Sequence, residues 1–144
     1  MHTMNVILVA VDGSREAGHA FEAALPIAKA QGSQLVITQV INQNAHRPMS
    51  NYDSSIIGEA ENEARQRLDQ YKKQAEEFGV IDVVADIEYG SPKITIPSEV
   101  VPKYHVDLIV TGATGLNAVE KLFLGSVSEH LTKNAGCSVM VVRP

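Results

Sequence analysis

The chain has 144 residues, of which 44% are apolar, and its formal net charge is −5. That length suits a single domain over residues 1–144, and the apolar content is too high for a disordered chain. Because the balance is acidic, with no basic stripe and no tryptophan, we expect no direct binding to nucleic acid.

The amino-terminal segment predicts the first strand and bears on the compartment. Its continuous apolar run, Val6–Val11, is typical of a strand covered on both faces. At six residues it is too short for the core of a signal peptide or for a membrane span. The single cysteine, Cys137, cannot form an internal disulfide, which fits a reducing compartment. We therefore expect a cytoplasmic protein without membrane association.

Capping and breaking residues mark the first helix. Ser14 is a good N-cap residue, and Gly32 is suited to end a helix. Pro26 lies between them and should kink the helix at a cost of about 3 kcal/mol, because it removes a backbone hydrogen bond. The apolar run Leu35–Ile41 then predicts the second strand.

The middle of the chain predicts a long helix and an edge strand. Over Ser54–Phe78 apolar residues recur three or four apart, which is one stripe of an amphipathic helix, and Gly79 ends it. We assign the charged residues of this helix to its solvated face. The run Val83–Tyr89 alternates and carries Asp86 and Glu88, which favours the edge of a sheet.

A proline-rich segment follows the third strand. Ser91 and Pro92 suit the start of a third helix, because proline is tolerated in the first helical turn. Pro97 and Pro102 should break or shorten that helix.

The carboxyl-terminal part predicts two strands around one helix. The strands are Asp107–Thr111 and Ser138–Val142. Between them Ser126 and Glu129 have the spacing of a capping box, and Gly136 marks the end of the helix that they begin.

Strict alternation of strand and helix predicts an α/β fold with an open parallel sheet and helices on both faces. Ligands bind such sheets at the carboxyl ends of the strands, where the winding reverses. If the first strand is central, with strands 2 and 3 on one side and strands 4 and 5 on the other, the reversal lies between strands 1 and 4. The turns there are Val11–Ser14 and Gly112–Gly115.

The segment GATGLNAVEKLFLGSVSEHL places glycines close to this point. The N–H groups of a glycine-rich turn can approach an anion closely, and a helix beginning at Gly125 adds free donors and a positive dipole end. Two interpretations stay open: the segment cradles a phosphate chain, or Gly112 turns the chain and Gly125 and Ser126 only begin a helix. It is neither a Walker loop, which needs Gly-Lys before the serine, nor the dinucleotide fingerprint, which follows the first strand.

At these residues the chain resembles the universal stress protein family. The resemblance rests on ILVAVDGS, on DLIVTGATG and on the carboxyl-terminal LGSVSEHLTKNAGCSVMVVRP. Its most specific part is the spacing Gly-x2-Gly-x9-Gly-Ser, met by Gly112, Gly115, Gly125 and Ser126. In the family this motif marks the branch that binds ATP. The resemblance implies a five-stranded sheet of order 3-2-1-4-5, one nucleotide-binding domain over residues 1–144, and a nucleotide-dependent regulatory role in the stress response.

The resemblance also implies which residues bind the nucleotide. Against adenine and ribose they are Asp12, Val40 and the backbone at Ala10 and Val11. Against ribose and the phosphates they are Gly112, Gly115, Gly125, Ser126, Val127 and Ser128. The ligand is ATP, or ADP or AMP, with Mg²⁺ or Mn²⁺ held mainly by phosphate oxygens. Many relatives carry a basic residue where this chain has Ala113 and Thr114, and Lys121 is a candidate replacement.

No catalytic or metal-ligating residue is predicted. The five histidines lack metal-ligand spacing, and Asp12 is interpreted as a hydrogen-bond acceptor because general-base work also needs a positioned nucleophile. Neither an arginine finger nor a water-positioning glutamine is identifiable, so hydrolysis of ATP should be slow at most.

Two other functions remain as alternatives. One is a dimeric interaction module without nucleotide, in which the glycines are purely structural. The other is a receiver-like phosphoacceptor switch, which ranks lower because it needs an aspartate after strand 3, where this chain has Glu88-Tyr89-Gly90.

The last strand predicts a homodimer. Ser138–Val142 is apolar and lies almost at the end of the chain, so its outer edge invites pairing with another chain. The family resemblance implies the same interface, because members commonly dimerise through this strand.

Overall fold

The structure, a computed structural model, describes residues 4–42, 54–114 and 124–143, except for the side chains of residues 54–57. The strands are β1 (Val6–Ala10), β2 (Gln34–Ile41), β3 (Asp82–Tyr89), β4 (Leu108–Gly112) and β5 (Ser138–Val142). The helices are α1 (Arg15–Gln31), α2 (Ser54–Phe78), α3 (Pro92–Thr95), α4 (Val101–Tyr104) and α5 (Ser126–Asn134), with a π-helical segment, Ile96–Val100, between α3 and α4.

The strands form one parallel sheet of order β3-β2-β1-β4-β5. In the centre Val9 of β1 pairs with Ile37 of β2 on one side and with Val110 of β4 on the other. The predicted α/β fold and strand order are therefore confirmed. So is the edge position of β3, the strand that carries Asp86 and Glu88.

Helices cover the sheet on both faces, which divides the buried side chains into two hydrophobic cores. The core under α1 and α2 includes Ile7, Val9, Phe21, Leu68 and Ala75. The core under the α3–α4 segment and α5 includes Leu8, Ile96, Val100, Ile109 and Leu131. Because neighbouring residues of β1 enter opposite cores, this strand is buried on both faces, as its apolar run predicts.

Both ends of α1 match the sequence prediction. The Ser14 side chain accepts a hydrogen bond from the N–H of Ala17 at 3.1 Å, and Gly32 ends the helix in the left-handed conformation with φ of 64°. The helix runs on through Pro26, whose side chain is exposed. On that side water can reach the carbonyl group that the proline leaves without a donor.

The helical path from Pro92 to Tyr104 is unbroken, although Pro97 and Pro102 shorten its α-helical pieces to four residues each. Each of these prolines lies at the second position of its own segment but inside the continuous helical path, so it leaves a backbone carbonyl of the preceding turn without its helical donor. The N–H of Val101 reaches back five residues to the carbonyl of Ile96, which widens the turn between them. The prediction that these prolines break or shorten the third helix is therefore confirmed.

The start of α5 corrects another prediction. Gly125 is the N-cap residue and Ser126 is the first helical residue, with no side-chain capping bond. The carboxylate of Glu129 instead accepts from Lys133 Nζ at 3.0 Å, one helical turn later. The expected capping box is therefore absent. None of the helices in the described residues is both long and apolar enough to cross a membrane.

Candidate functional site

The winding of the sheet reverses between β1 and β4. From β1 the chain leads to β2 and β3 on one side, and from β4 it leads to β5 on the other. The loops that leave these two strands therefore diverge over opposite faces, and their bases meet at the carboxyl edge of the sheet. This is the position at which open parallel sheets bind ligands, and it coincides with the turns singled out in the sequence.

The turn after β1 is held by its own hydrogen bonds. The backbone N–H of Ser14 donates to Asp12 Oδ1 at 2.9 Å, and the N–H of Val11 donates to the carbonyl of Thr38 at 2.9 Å. Between them Gly13 has φ of 88°, a conformation that L side chains rarely adopt. Asp12 is exposed, and its Oδ2 makes no hydrogen bond within the described ranges. Among the residues that the structure describes, nothing bonds to this second carboxylate oxygen, which the turn presents at the edge of the sheet.

Gly112, at the end of β4, is packed against the first turn of α1. A Cβ there would lie 2.9 Å from the backbone carbonyl carbon and oxygen of Glu16. Since a Cβ almost never approaches backbone so closely, a glycine is required whether or not a ligand binds. The structure therefore gives Gly112 a packing role that sequence reasoning did not assign to it.

Two hydrogen bonds tie the start of α5 to the end of β4. The N–H of Gly125 donates to the carbonyl of Ala113 at 2.6 Å, and the hydroxyl of Ser128 donates to the carbonyl of Gly112. Ser128 is buried, so its hydroxyl anchors the helix, whereas Ser126 is exposed.

This anchoring brings free backbone donors to the edge of the sheet. The first intrahelical bond of α5 joins the N–H of Glu129 to the carbonyl of Gly125 at 2.9 Å. The three preceding N–H groups, those of Ser126, Val127 and Ser128, donate to nothing in the part of the chain that the structure describes. Together with the helix dipole, they form a site suited to an anion.

An apolar patch lies on the face of the sheet that α5 covers. Ala10 and Val40, at the ends of β1 and β2, are half-buried and pack against the core under α5 and the α3–α4 segment. Val11 is buried in the opposite core, so a ligand at this patch can meet it only through its backbone. The structure thus brings together nine of the ten predicted site residues at one edge, in the described residues. The tenth, Gly115, lies outside them, as does Lys121.

Sequence reasoning missed Arg67 of α2, whose charge it assigned to a solvated face. Arg67 is half-buried, and its Nη1 donates to Gln39 Oε1 at 2.8 Å. Its guanidinium also lies against Gly13. The helical periodicity of the sequence places Arg67 next to the apolar stripe that contains Leu68. That Arg67 reaches the turn after β1 is seen only from the way α2 crosses the sheet.

A second missed group is a hydrogen-bonded cluster around the buried Asp86. Thr38 Oγ1 donates to Asp86 Oδ2 at 2.8 Å, Tyr104 donates through its hydroxyl to Oδ1 at 2.7 Å, and Lys103 Nζ lies 3.2 Å from Oδ1. Lys103 also lies 3.0 Å from Glu88 Oε2. The two carboxylates are two residues apart on β3, so they lie on the same face of the sheet. This spacing is the feature of the sequence from which the cluster could have been predicted.

The cluster shifts the acidity of its members in opposite directions. Burial alone would raise the pKa of Asp86, but hydrogen bonds, from Tyr104 above all, outweigh it and hold that pKa below its ordinary value. Burial and the neighbouring Asp86 raise the pKa of Glu88. Burial and the bond to Asp86 raise the pKa of Tyr104 to about 12. Asp86 is therefore a charged group whose partners fasten α4 to the sheet.

Among the described residues, no group of three or more histidine, cysteine, aspartate or glutamate side chains is placed to hold a metal ion. In the part of the chain that the structure describes, this edge offers a ligand a carboxylate oxygen of Asp12 without a hydrogen bond, an apolar patch, and N–H groups of α5 that donate to nothing.

The sheet order and this edge define a doubly wound α/β protein with its candidate site at the crossover. Residues 4–143 match the sequence model of the Universal stress protein family. The chain belongs to that family.

Similar proteins support the assignment. A protein of Staphylococcus aureus (strain USA300) that carries the family name is 41% identical over 143 residues, covering 99% of this chain and 86% of its own. The solved structure of universal stress protein UspA from Lactobacillus plantarum has a TM-score of 0.88 at 28% identity, covering 99% of this chain and 100% of its own.

Two more distant structures hold nucleotides. A universal stress protein in complex with cAMP has a TM-score of 0.77 at 20% identity and covers 99% of each chain. A universal stress protein from Archaeoglobus fulgidus in complex with dAMP has a TM-score of 0.69 at 18% identity, covering 99% of this chain and 100% of its own. At such identities the likeness establishes a common fold, and the ligands are those of the two proteins named.

Proposed function

We propose that this universal stress protein binds an adenine nucleotide, ATP foremost, at the carboxyl ends of β1 and β4, and that it acts as a nucleotide-dependent regulatory module. The observation that carries the proposal is the set of unused N–H groups at Ser126, Val127 and Ser128, on the same edge as the Asp12 turn. The proposal takes residues 1–144 as one nucleotide-binding domain working in the cytoplasm.

The adenosine part of the ligand would lie on the apolar patch. Ala10 and Val40 offer half-buried aliphatic surface against which a base can pack. Asp12 offers the free Oδ2 as an acceptor for a hydroxyl or amino group. Gly112 and Gly115 would then border the ribose and the α-phosphate.

The phosphate chain would end at α5. Gly125, Ser126, Val127 and Ser128 are assigned to the β- and γ-phosphates, where backbone N–H groups and the helix dipole favour negative charge. Because the hydroxyl of Ser128 is used by Gly112, its contribution would come from its backbone. A divalent ion, Mg²⁺ or Mn²⁺, would be held mainly by phosphate oxygens.

Relatives support the adenine part of the proposal. The ligands of the two nucleotide complexes, cAMP and dAMP, share an adenine base and a single phosphorus. Neither has a phosphate chain, so the preference for ATP rests on the Gly-x2-Gly-x9-Gly-Ser spacing of this chain. We assign no catalytic residue and expect slow hydrolysis at most.

A matched pair of substitutions at Ser126 tests whether its backbone N–H binds the nucleotide. Ser126→Pro removes one N–H, and the fold tolerates it because proline suits the first helical position and Gly125 already has φ of −64° and ψ of 163°. Ser126→Ala keeps the N–H and removes only the hydroxyl. Calorimetry should show that the proline variant binds ATP about tenfold more weakly than the alanine variant, the scale of one hydrogen bond to a charged group. Equal affinities of the two variants would refute the role of this N–H.

One observation favours a second candidate function, an interaction module without nucleotide. The packing of Gly112 against α1 explains that glycine without any ligand. Mass spectrometry of small molecules released from freshly purified protein, with calorimetry against ATP, separates the two candidates. If no nucleotide is released and no ATP binding is measurable, the interaction module is the function that these results favour.

A further inference from the structure

The side chain of Arg67 lies between β2 and the turn after β1, at the edge where the nucleotide is proposed to bind. Its Nη1 donates to Gln39 Oε1 on β2 at 2.8 Å. Its Nη2 lies 2.9 Å from the position that a Cβ on Gly13 would occupy. One guanidinium from α2 thus lies across the end of β2 and against the turn that follows β1.

Gly13 fits this arrangement in two ways. Its φ of 88° allows the turn, and the missing Cβ leaves the space that the guanidinium fills. A side chain at position 13 would push Arg67 away from the turn. The glycine and the arginine therefore depend on each other, although they are 54 positions apart.

The same cation lies close enough to act electrostatically on the surroundings of Asp12. Burial raises the pKa of Tyr71, Arg67 lowers it, and Asp12 and Glu22 raise it. Arg67 and Asp12 thus both act on one hydroxyl group, which lies between α1 and α2 near Gly18.

The side of the turn that Arg67 touches is opposite to the apolar patch. Gln39 follows Thr38, whose side chain lies on the α4 face with Asp86, so Gln39 extends to the α2 face. Ala10 and Val40 lie on the α4 and α5 face. Arg67 therefore contacts the turn from the α2 face of the sheet and leaves the opposite face, with the apolar patch, open to a ligand.

We propose that Arg67 is a positioning residue for nucleotide binding, which holds the Asp12-Gly13-Ser14 turn so that Asp12 presents its free carboxylate oxygen to the ligand. The inference rests on the proposed function, because it assigns a role within the same site. Arg67 acts through the turn and does not itself touch the nucleotide.

Three variants test this inference. Arg67→Gln removes the charge and the fork of donors, and Arg67→Lys restores the charge alone. Arg65→Gln is the matched control, because Arg65 is an exposed arginine of α2 that borders β3 near Asp69 and Ile87. If Arg67→Gln fails to fold, Gln39→Met removes the acceptor of the bridge and takes its place.

Hydrogen exchange of the free protein gives the first measurement. The amide of Ser14, which donates to Asp12 Oδ1, should exchange about fivefold faster in Arg67→Gln than in the parent, as the loss of one hydrogen bond implies. It should be unchanged in Arg65→Gln. Unchanged exchange in Arg67→Gln would overturn the inference.

Calorimetry with ATP gives the second measurement. Arg67→Gln should bind about fivefold more weakly, the scale of one hydrogen bond, with partial recovery in Arg67→Lys. In an Asp12→Ala background the same substitution should cause no further loss, because its effect passes through Asp12. An equal loss with and without Asp12 would mean that Arg67 contacts the nucleotide directly, and would overturn the positioning role.

The outcomes separate this inference from the proposed function. A parent protein that binds ATP together with an Arg67→Gln variant of parental affinity overturns the positioning role alone. A parent protein that binds no adenine nucleotide overturns both.

Discussion

At the scale of single residues, Gly112 is needed for packing before any ligand is considered. The sequence presents it only as one member of a glycine spacing. Its contact with Glu16 joins positions 96 apart in the chain, which no local pattern reveals. Arg67 was missed for the same reason, since helical periodicity gives the buried face of α2 but not the strand turn over which it passes.

Gly112→Ala should destabilise the protein. The added Cβ would lie 2.9 Å from backbone atoms of Glu16, so α1 must shift, at a cost of about 1–3 kcal/mol. Urea denaturation measures this change in the free energy of unfolding.

Gly18→Ala is the matched control. It lies within α1, and among the described residues a Cβ there would meet the Tyr71 hydroxyl alone, at 3.5 Å, which is an ordinary contact. Alanine should stabilise the helix by about 0.5–1 kcal/mol. Equal stability of the Gly112→Ala variant and the parent would contradict the packing role.

At the scale of elements, local signals predicted the strands and the long helices well. Hydrophobic periodicity gives Ser54–Phe78 at both ends, and β5 matches Ser138–Val142. The start of α5 was predicted less well. Its hydrogen bonds depend on which partner is nearest in three dimensions, such as Gly112 for Ser128.

Tyr104→Phe should weaken the attachment of α4 to the sheet. It removes the hydrogen bond to the charged and buried Asp86, at a cost of about 1.5–3 kcal/mol at pH 7. Tyr89→Phe, at an exposed tyrosine of β3, is the control and should change little. Urea denaturation at a series of pH values checks both.

The pH dependence of that loss has a definite sign. Since the pKa of Asp86 is lowered in the folded state, its contribution is present above the ordinary value of 3.8 and is lost as pH falls through the lower folded value. The difference between Tyr104→Phe and the parent should therefore shrink in acid. Glu88, whose pKa is raised, acts in the opposite direction and reduces the slope of the parent near its ordinary value of 4.5. A difference that does not shrink at any acid pH at which both proteins stay folded would contradict this assignment.

At the scale of the whole molecule, the strand order followed from alternation and family resemblance, because right-handed crossovers leave few arrangements. The assembly was predicted from the apolar sequence of β5. Four of its five residues are half-exposed in the single chain. We therefore expect a homodimer in which β5 pairs with its copy across a two-fold axis.

Val141→Pro should yield a folded monomer. The N–H of Ser138 and the carbonyl of Val142 bond to the β4 side, so by alternation the backbone groups of Val141 point to the outer edge. Proline there removes a donor from the dimer ladder and none from the sheet. Light scattering should report a monomer, against a dimer for the parent.

Met140→Pro is the contrasting variant, because its N–H points toward β4, and it should unfold the edge of the sheet. A parent protein that remains monomeric at high micromolar concentration would refute the interface.

The hydrogen bond from the N–H of Ala113 to the carbonyl of Val142, 3.1 Å long, joins the loop after β4 to the last residue of the outermost strand. Ala113 also accepts the N–H of Gly125, where α5 begins. One residue thus stands between the helix end at which we propose that phosphate binds and the border along which a second subunit would align. If a ligand moves that residue, the occupancy of the site and the strength of pairing are thermodynamically linked, and each must alter the other by the same factor.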